Sequence, residues 1–94
     1  MMPSKIHICG IPYTIKLYDD NFDMDLHFGE IKYGQAEIRI NKNVTPELQM
    51  QALFHEIIHG ILVQMGRNDE SQDEQLVQGL ANAIYQSFKL KEGT

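Results

Sequence analysis

The residues with the clearest chemistry are His55, Glu56 and His59, in the run His55-Glu56-Ile57-Ile58-His59. In a helix, positions i and i+4 lie one turn apart on one face, so both imidazoles can reach a single ion. Zinc accepts two such nitrogens at about 2.0–2.1 Å and keeps positions for a third ligand and a water. Glu56 falls about 100° round the helix from His55, near enough to serve a water at the metal without being a ligand. A carboxylate there can take a proton from that water and hand it to a leaving amine. The competing reading makes both histidines core residues bonded to backbone carbonyls and Glu56 a solvated charge. Two histidines and an acid on a mostly apolar face would be a costly way to build a core, which disfavours it.

A catalytic zinc usually takes three protein ligands. The metzincin continuation is absent, because the positions three and six residues after His59 hold Leu62 and Met65. The third ligand is then expected from an acid of the next segment: Asp69, Glu70, Asp73 or Glu74. Ser71-Gln72-Asp73-Glu74 matches a capping box, which gives Glu74 an ordinary structural role. Asp73 lies nearer the centre of the following apolar face. Spacing leaves these two open.

The elements that must position these groups are legible as a change of period. Ile6 and Ile8 alternate with His7 and Cys9, Gly10 punctuates, and Tyr13, Ile15 and Leu17 alternate with Thr14, Lys16 and Tyr18. Ile31 and Tyr33 alternate with Glu30 and Lys32, Gly34 offers a turn, and Ala36, Ile38 and Ile40 alternate with Glu37, Arg39 and Asn41. Both patterns predict hairpins with one buried face. At Thr45-Pro46-Glu47 the pattern becomes helical, with a cap, a proline at the first position and an acid in the first turn. Phe54, Ile57, Ile58, Ile61, Leu62 and Met65 form one face, and Leu48, Ala52, His55, His59 and Leu62 a second. A helix over about residues 46–65, packed on two sides and stopped at Gly66, is expected. After a polar loop from Arg67 to Glu70, Ser71 is expected to cap a helix over about 72–90, whose face runs through Leu76, Val77, Leu80, Ile84 and Phe88. Tyr85 and Phe88 read as core. Strands first and helices afterwards is an α+β order with a mostly antiparallel sheet.

Composition narrows the function classes. Ninety-four residues fit one domain, and 43% hydrophobic with 22% charged residues is ordinary for a folded chain. Thirteen acids against eight Lys and Arg, a net charge of −5, count against a nucleic-acid surface. Cys9 is the only cysteine, which excludes an intrachain disulfide and a cysteine-based zinc site. No run approaches the roughly 18 apolar residues of a membrane span, and the start has no apolar leader, so a cytoplasmic protein without membrane partners is expected.

Phe28-Gly29-Glu30-Ile31, Ala36 to Ile40, Leu53 to Leu62 and Glu74 to Ala81 together resemble a small zincin. The similarity is to the short phage- and mobile-element-encoded members related to the ImmA/IrrE metallopeptidases, over roughly residues 28–90. The resemblance implies a minimal zincin-like domain and a zinc-dependent peptidase acting on a protein or peptide substrate. His55, His59 and Glu74 would be the zinc ligands and Glu56 the base. It also implies that Ala36–Ile40 lies at the sheet edge beside the metal, where an extended substrate could add as a strand. The rival is a non-enzymatic module that keeps this fold and holds a partner protein.

Other signals in the sequence are weaker. Asp19, Asn21, Asp23, Asp25 and Glu30 are spaced as in a calcium loop, but Met24 stands where that loop needs glycine, so a solvated acidic connection is expected. His27 and Tyr33 are candidates for hydrogen-bonding an oxyanion, though each suits an ordinary strand position better. Cys9 has no neighbouring base to activate it.

Overall fold

The computed structural model describes residues 2–18 and 28–93, the last six by backbone alone. The elements follow in the order β1 (Lys5–Ile8), β2 (Ile11–Tyr18), β3 (Gly29–Lys32), a 3-10 turn (Tyr33–Gln35), β4 (Glu37–Asn41), α1 (Pro46–Gln64), α2 (Asn68–Ser71) and α3 (Glu74–Gly93). The fold is α+β, a four-stranded, mostly antiparallel sheet with helices packed on one face.

The first hairpin closes more tightly than the alternation implied. Ile8 pairs with Ile11, leaving Cys9-Gly10 as a two-residue turn with φ of 50° and 86°. Positive φ at both central residues matches the right-handed twist of the flanking strands, so Cys9 belongs to the turn and is exposed. The second hairpin pairs β3 with β4 antiparallel through the 3-10 turn.

The hairpins join by a parallel pairing of β2 with β4, so the strand order is β1-β2-β4-β3. This corrects the expectation that Ala36–Ile40 lies at an edge. β4 is an interior strand whose Ile38 and Ile40 are fully buried, and β3 is the edge on that side. Alternation reports which face of a strand is buried and says nothing about who flanks it. On the face away from the helices, Glu37 is held by Lys16 at 3.2 Å and by Arg39, so the charges of β4 support the sheet's interior.

α1 begins as its residues dictate. The Thr45 hydroxyl accepts from the Leu48 N–H at 3.2 Å, with Pro46 and Glu47 in the first turn. It ends where Gly66 takes a φ of 78° and its N–H donates to the Val63 carbonyl at 3.0 Å. Between these ends α1 is packed on two sides, as its two apolar faces require. Ala52 and Leu53 join Ile8, Tyr13, Ile15, Ile38 and Ile40 against the sheet, while Ile58 packs with Val77 and Ala81 of α3. Gly60 allows the close approach: a Cβ there would stand 2.9 Å from Ile8 Cδ1 and 3.2 Å from Ile31 Cδ1. Met65, expected on the apolar face, is 61% exposed because the helix has already ended.

The segment after α1 departs further from expectation. Residues 68–71 form a short helix, and Ser71 ends it, buried, instead of capping α3. The cap of α3 is Asp73, whose Oδ1 accepts from the Leu76 N–H at 3.1 Å. The face of α3 toward α1 is Val77, Ala81 and Ile84, with Leu76 and Leu80 at its exposed margin. Tyr85 meets Phe54 with ring centroids 5.7 Å apart, while the Phe88 side chain lies outside the described residues. Among the described residues no helix is long and apolar enough to cross a membrane.

Candidate metal centre

α1 carries His55 and His59 one turn apart, on the stripe between its sheet-facing and α3-facing sides. α3 starts opposite them, so Glu74, in its first turn, projects toward both rings. Glu74 Oε1 lies 3.1 Å from His55 Nε2, and Oε2 lies 3.2 Å from His59 Nε2. The two Nε2 atoms are 3.2 Å apart. His55, His59 and Glu74 thus form a group that could hold a metal ion, with one ligand atom from each within 4.8 Å of the others. The spacing suits a small ion: two nitrogens 3.2 Å apart, each about 2.0–2.1 Å from a common ion, subtend about 100–106°, close to tetrahedral. Asp73, which periodicity favoured, is turned away by its capping role, and neither Asp69 nor Glu70 joins the group.

Glu56 sits beside this group and is 8% exposed. Burial, reinforced by the nearby carboxylates of Glu74 and Glu30, pushes its carboxyl up to about 8. Burial holds His59 below the ordinary imidazole value, although Glu74 pulls the other way. That balance favours the neutral ring, the form a metal accepts.

A cavity of about 700 Å³ opens over these groups, walled by Phe28, Ile31 and Ala52 and lined on its polar side by Glu30, Glu56 and Glu74. The edge strand β3 forms one wall. A second cavity of about 450 Å³ lies on the other side of His59 and Glu74 and is lined by Asn68, Ser71 and Gln72. Tyr33 borders both. Its phenol interacts with Ser71, and burial raises it above the usual tyrosine value. His27 lies outside the described residues, as do Asp19, Asn21, Asp23 and Asp25 of the calcium-like spacing. Glu30, the last of that series, is in β3 near Arg39 and Lys32.

Two residues of the site escaped sequence reasoning. Gln78 Oε1 lies 2.7 Å from His55 Nδ1, and Ser71 Oγ lies 3.1 Å from His59 Nδ1. Gln78 had a signal, since it stands one turn after Glu74 on the same face of α3. Ser71 had a misleading one, the capping-box pattern.

Fold and site define an α+β protein with a His-His-Glu group able to hold a metal ion at a partly apolar cavity. No protein-family model, curated protein or solved structure matches the chain.

Proposed function

We propose that the chain is a zinc-dependent peptidase of zincin type, with His55, His59 and Glu74 as ligands and Glu56 as general base. The observation that carries this reading is the convergence of two Nε2 atoms and both Glu74 oxygens beside a buried carboxyl at a cavity wall. The resemblance to small zincins related to the ImmA/IrrE metallopeptidases supports it. When bound, the metal would polarise the scissile carbonyl and acidify a water. Glu56 takes the proton and returns it to the departing amine. A carboxyl that burial and the neighbouring Glu74 and Glu30 carboxylates lift to about 8, next to a cation that would draw it down, is suited to both transfers near neutral pH. An extended substrate would lie along β3, the edge strand that walls the cavity, and not along β4, whose hydrogen bonds are already taken on both sides.

The test pairs metal content with hydrolysis of a flexible polypeptide. The purified chain should hold about one zinc, and His55→Ala or His59→Ala should remove it. Glu56→Gln keeps the ligands but loses the base, so zinc should stay while cleavage falls by orders of magnitude. If the wild type and Glu56→Gln cleave alike, or neither cleaves any flexible polypeptide, the peptidase reading fails in favour of a zinc-holding binding module.

A further inference from the structure

Ser71 is 6% exposed, caps nothing, and has three polar neighbours. Its Oγ lies 3.1 Å from His59 Nδ1 and 3.4 Å from the His59 backbone carbonyl, and the Tyr33 phenol interacts with it. A serine hydroxyl has one proton and two lone pairs. The carbonyl can only accept and the phenol oxygen accepts as well, so the hydroxyl proton is spent on one of these two. The oxygen is then left as an acceptor, and the ring nitrogen facing it must carry a proton. With the His59 proton on Nδ1, the lone pair of Nε2 points toward Glu74 and the Nε2 of His55.

Gln78 makes the matching contact at His55. Its Nε2 donates to Asn82 Oδ1 at 2.9 Å, which leaves Oε1 to accept from His55 Nδ1 at 2.7 Å. This contact is at the surface, where water can stand in for a lost acceptor. The Ser71 contact is part-buried, with the hydroxyl itself buried and tied at the same time to the backbone of the helix that bears both histidines. Removing an acceptor from a sheltered donor costs more than removing one that water readily replaces.

We propose that Ser71 is a positioning residue of the metal centre, which holds His59 with its proton on Nδ1 and its Nε2 free for the ion. This rests on the reading of His55, His59 and Glu74 as zinc ligands. The hydroxyl reaches across from the end of α2, so α2 fixes one ligand of α1 while α3 supplies another. Hydrogen bonds of this kind commonly change metal affinity 10- to 100-fold when lost.

The experiment measures zinc affinity of the full chain by competition with a chromophoric chelator, for the wild type, Ser71→Ala, Ser71→Thr and Gln78→Ala. Nitrogen-15 spectra of the histidine rings in the zinc-loaded proteins accompany it. Ser71→Ala should bind zinc at least about 10-fold more weakly, Ser71→Thr should recover most of the loss by restoring a hydroxyl, and Gln78→Ala should lose less than Ser71→Ala. The wild-type spectrum should show His59 ligating through Nε2 with a sheltered Nδ1 proton. That proton should exchange faster in Ser71→Ala while the His55 proton does not change, a contrast that a purely structural role for Ser71 would not produce. Wild-type affinity in Ser71→Ala, no recovery in Ser71→Thr, or His59 ligating through Nδ1 would each overturn the proposal. Should Ser71→Ala not fold, the wild-type ring spectrum and Ser71→Thr still decide it. A wild type that takes no zinc at all would instead sink the metal reading, and this inference with it.

Discussion

The closeness of α1 to the sheet can be tested with two glycines that face opposite surroundings within helices. Glycine in a helix interior costs about 0.8–1.0 kcal/mol relative to alanine, so Gly→Ala is favourable where there is room. Gly79, in α3, is exposed, and beyond its chain neighbours and its own helix backbone no heavy atom of the described residues lies within 4 Å of an added Cβ. Gly79→Ala should therefore stabilise by about 1 kcal/mol, which for a chain of this size raises Tm by about 4–8 °C. Gly60, in α1, offers no such room. Its Cβ would stand 2.9 Å from Cδ1 of Ile8, a side chain 1% exposed, and 3.2 Å from Cδ1 of Ile31. Both are flexible tips, and Ile31 borders the cavity, but the nearer one, Ile8, lies in filled core with little space to retreat. Overpacking of this order costs about 1–3 kcal/mol, which outweighs the helix-propensity gain and leaves Gly60→Ala destabilised by about 1 kcal/mol. The two variants should then melt roughly 8–16 °C apart in opposite directions from the wild type. Gly60 also follows His59 directly, so a helix pushed off the sheet carries the ligand with it, and Gly60→Ala should bind zinc more weakly while Gly79→Ala should not. Thermal unfolding by circular dichroism in EDTA, with a zinc titration beside it, reads both effects. A Gly60→Ala protein as stable as Gly79→Ala would refute the reasoning, because the packing distances would then not govern the helix position.

Two further outcomes follow from the same structure. Asp73→Ala should lower stability by about 1 kcal/mol through the lost cap of α3 yet keep its zinc; Glu74→Ala should lose the zinc with little change in metal-free stability, because the Glu74 side chain is 65% exposed, and an exchange of these two phenotypes would be decisive against Glu74 as a ligand. The Glu37 carboxyl is held below its ordinary 4.5 by the hydrogen bond from Arg39, with Lys16 adding to it; a lowered value stabilises the fold above about pH 4.5 and loses that contribution as pH falls through it, so Glu37→Gln should flatten the acid limb of a stability-against-pH curve, and an unaltered limb would show that the pairing contributes nothing.

How much of this was legible beforehand can be argued from particular residues. The alternation of Tyr13, Ile15, Ile38 and Ile40 with polar partners marked the strands, because period two decides which side chains meet a core whatever the core is. Thr45-Pro46 and Gly66 marked the ends of α1, since capping is settled within a few residues. The i, i+4 spacing of His55 and His59 needed nothing beyond a helix to bring the rings together. All of these depend on local geometry, and a sequence carries local geometry directly.

Tertiary structure decided what depends on neighbours far along the chain. Strand alternation is the same for an edge and an interior strand, so only the parallel pairing of β2 with β4 placed β4 inside and made β3 the wall of the cavity. Asp73 and Glu74 are adjacent acids that spacing could not separate. The extra turn of α2 moved the cap from Ser71 to Asp73, which occupied one carboxylate with the backbone and turned the other toward the histidines. The same turn buried Ser71 against His59, a contact between residues twelve apart that no local pattern encodes. A backbone N–H at a helix start donates to whichever nearby oxygen the chain path brings to it, and that path is set by how α1 and α3 pack.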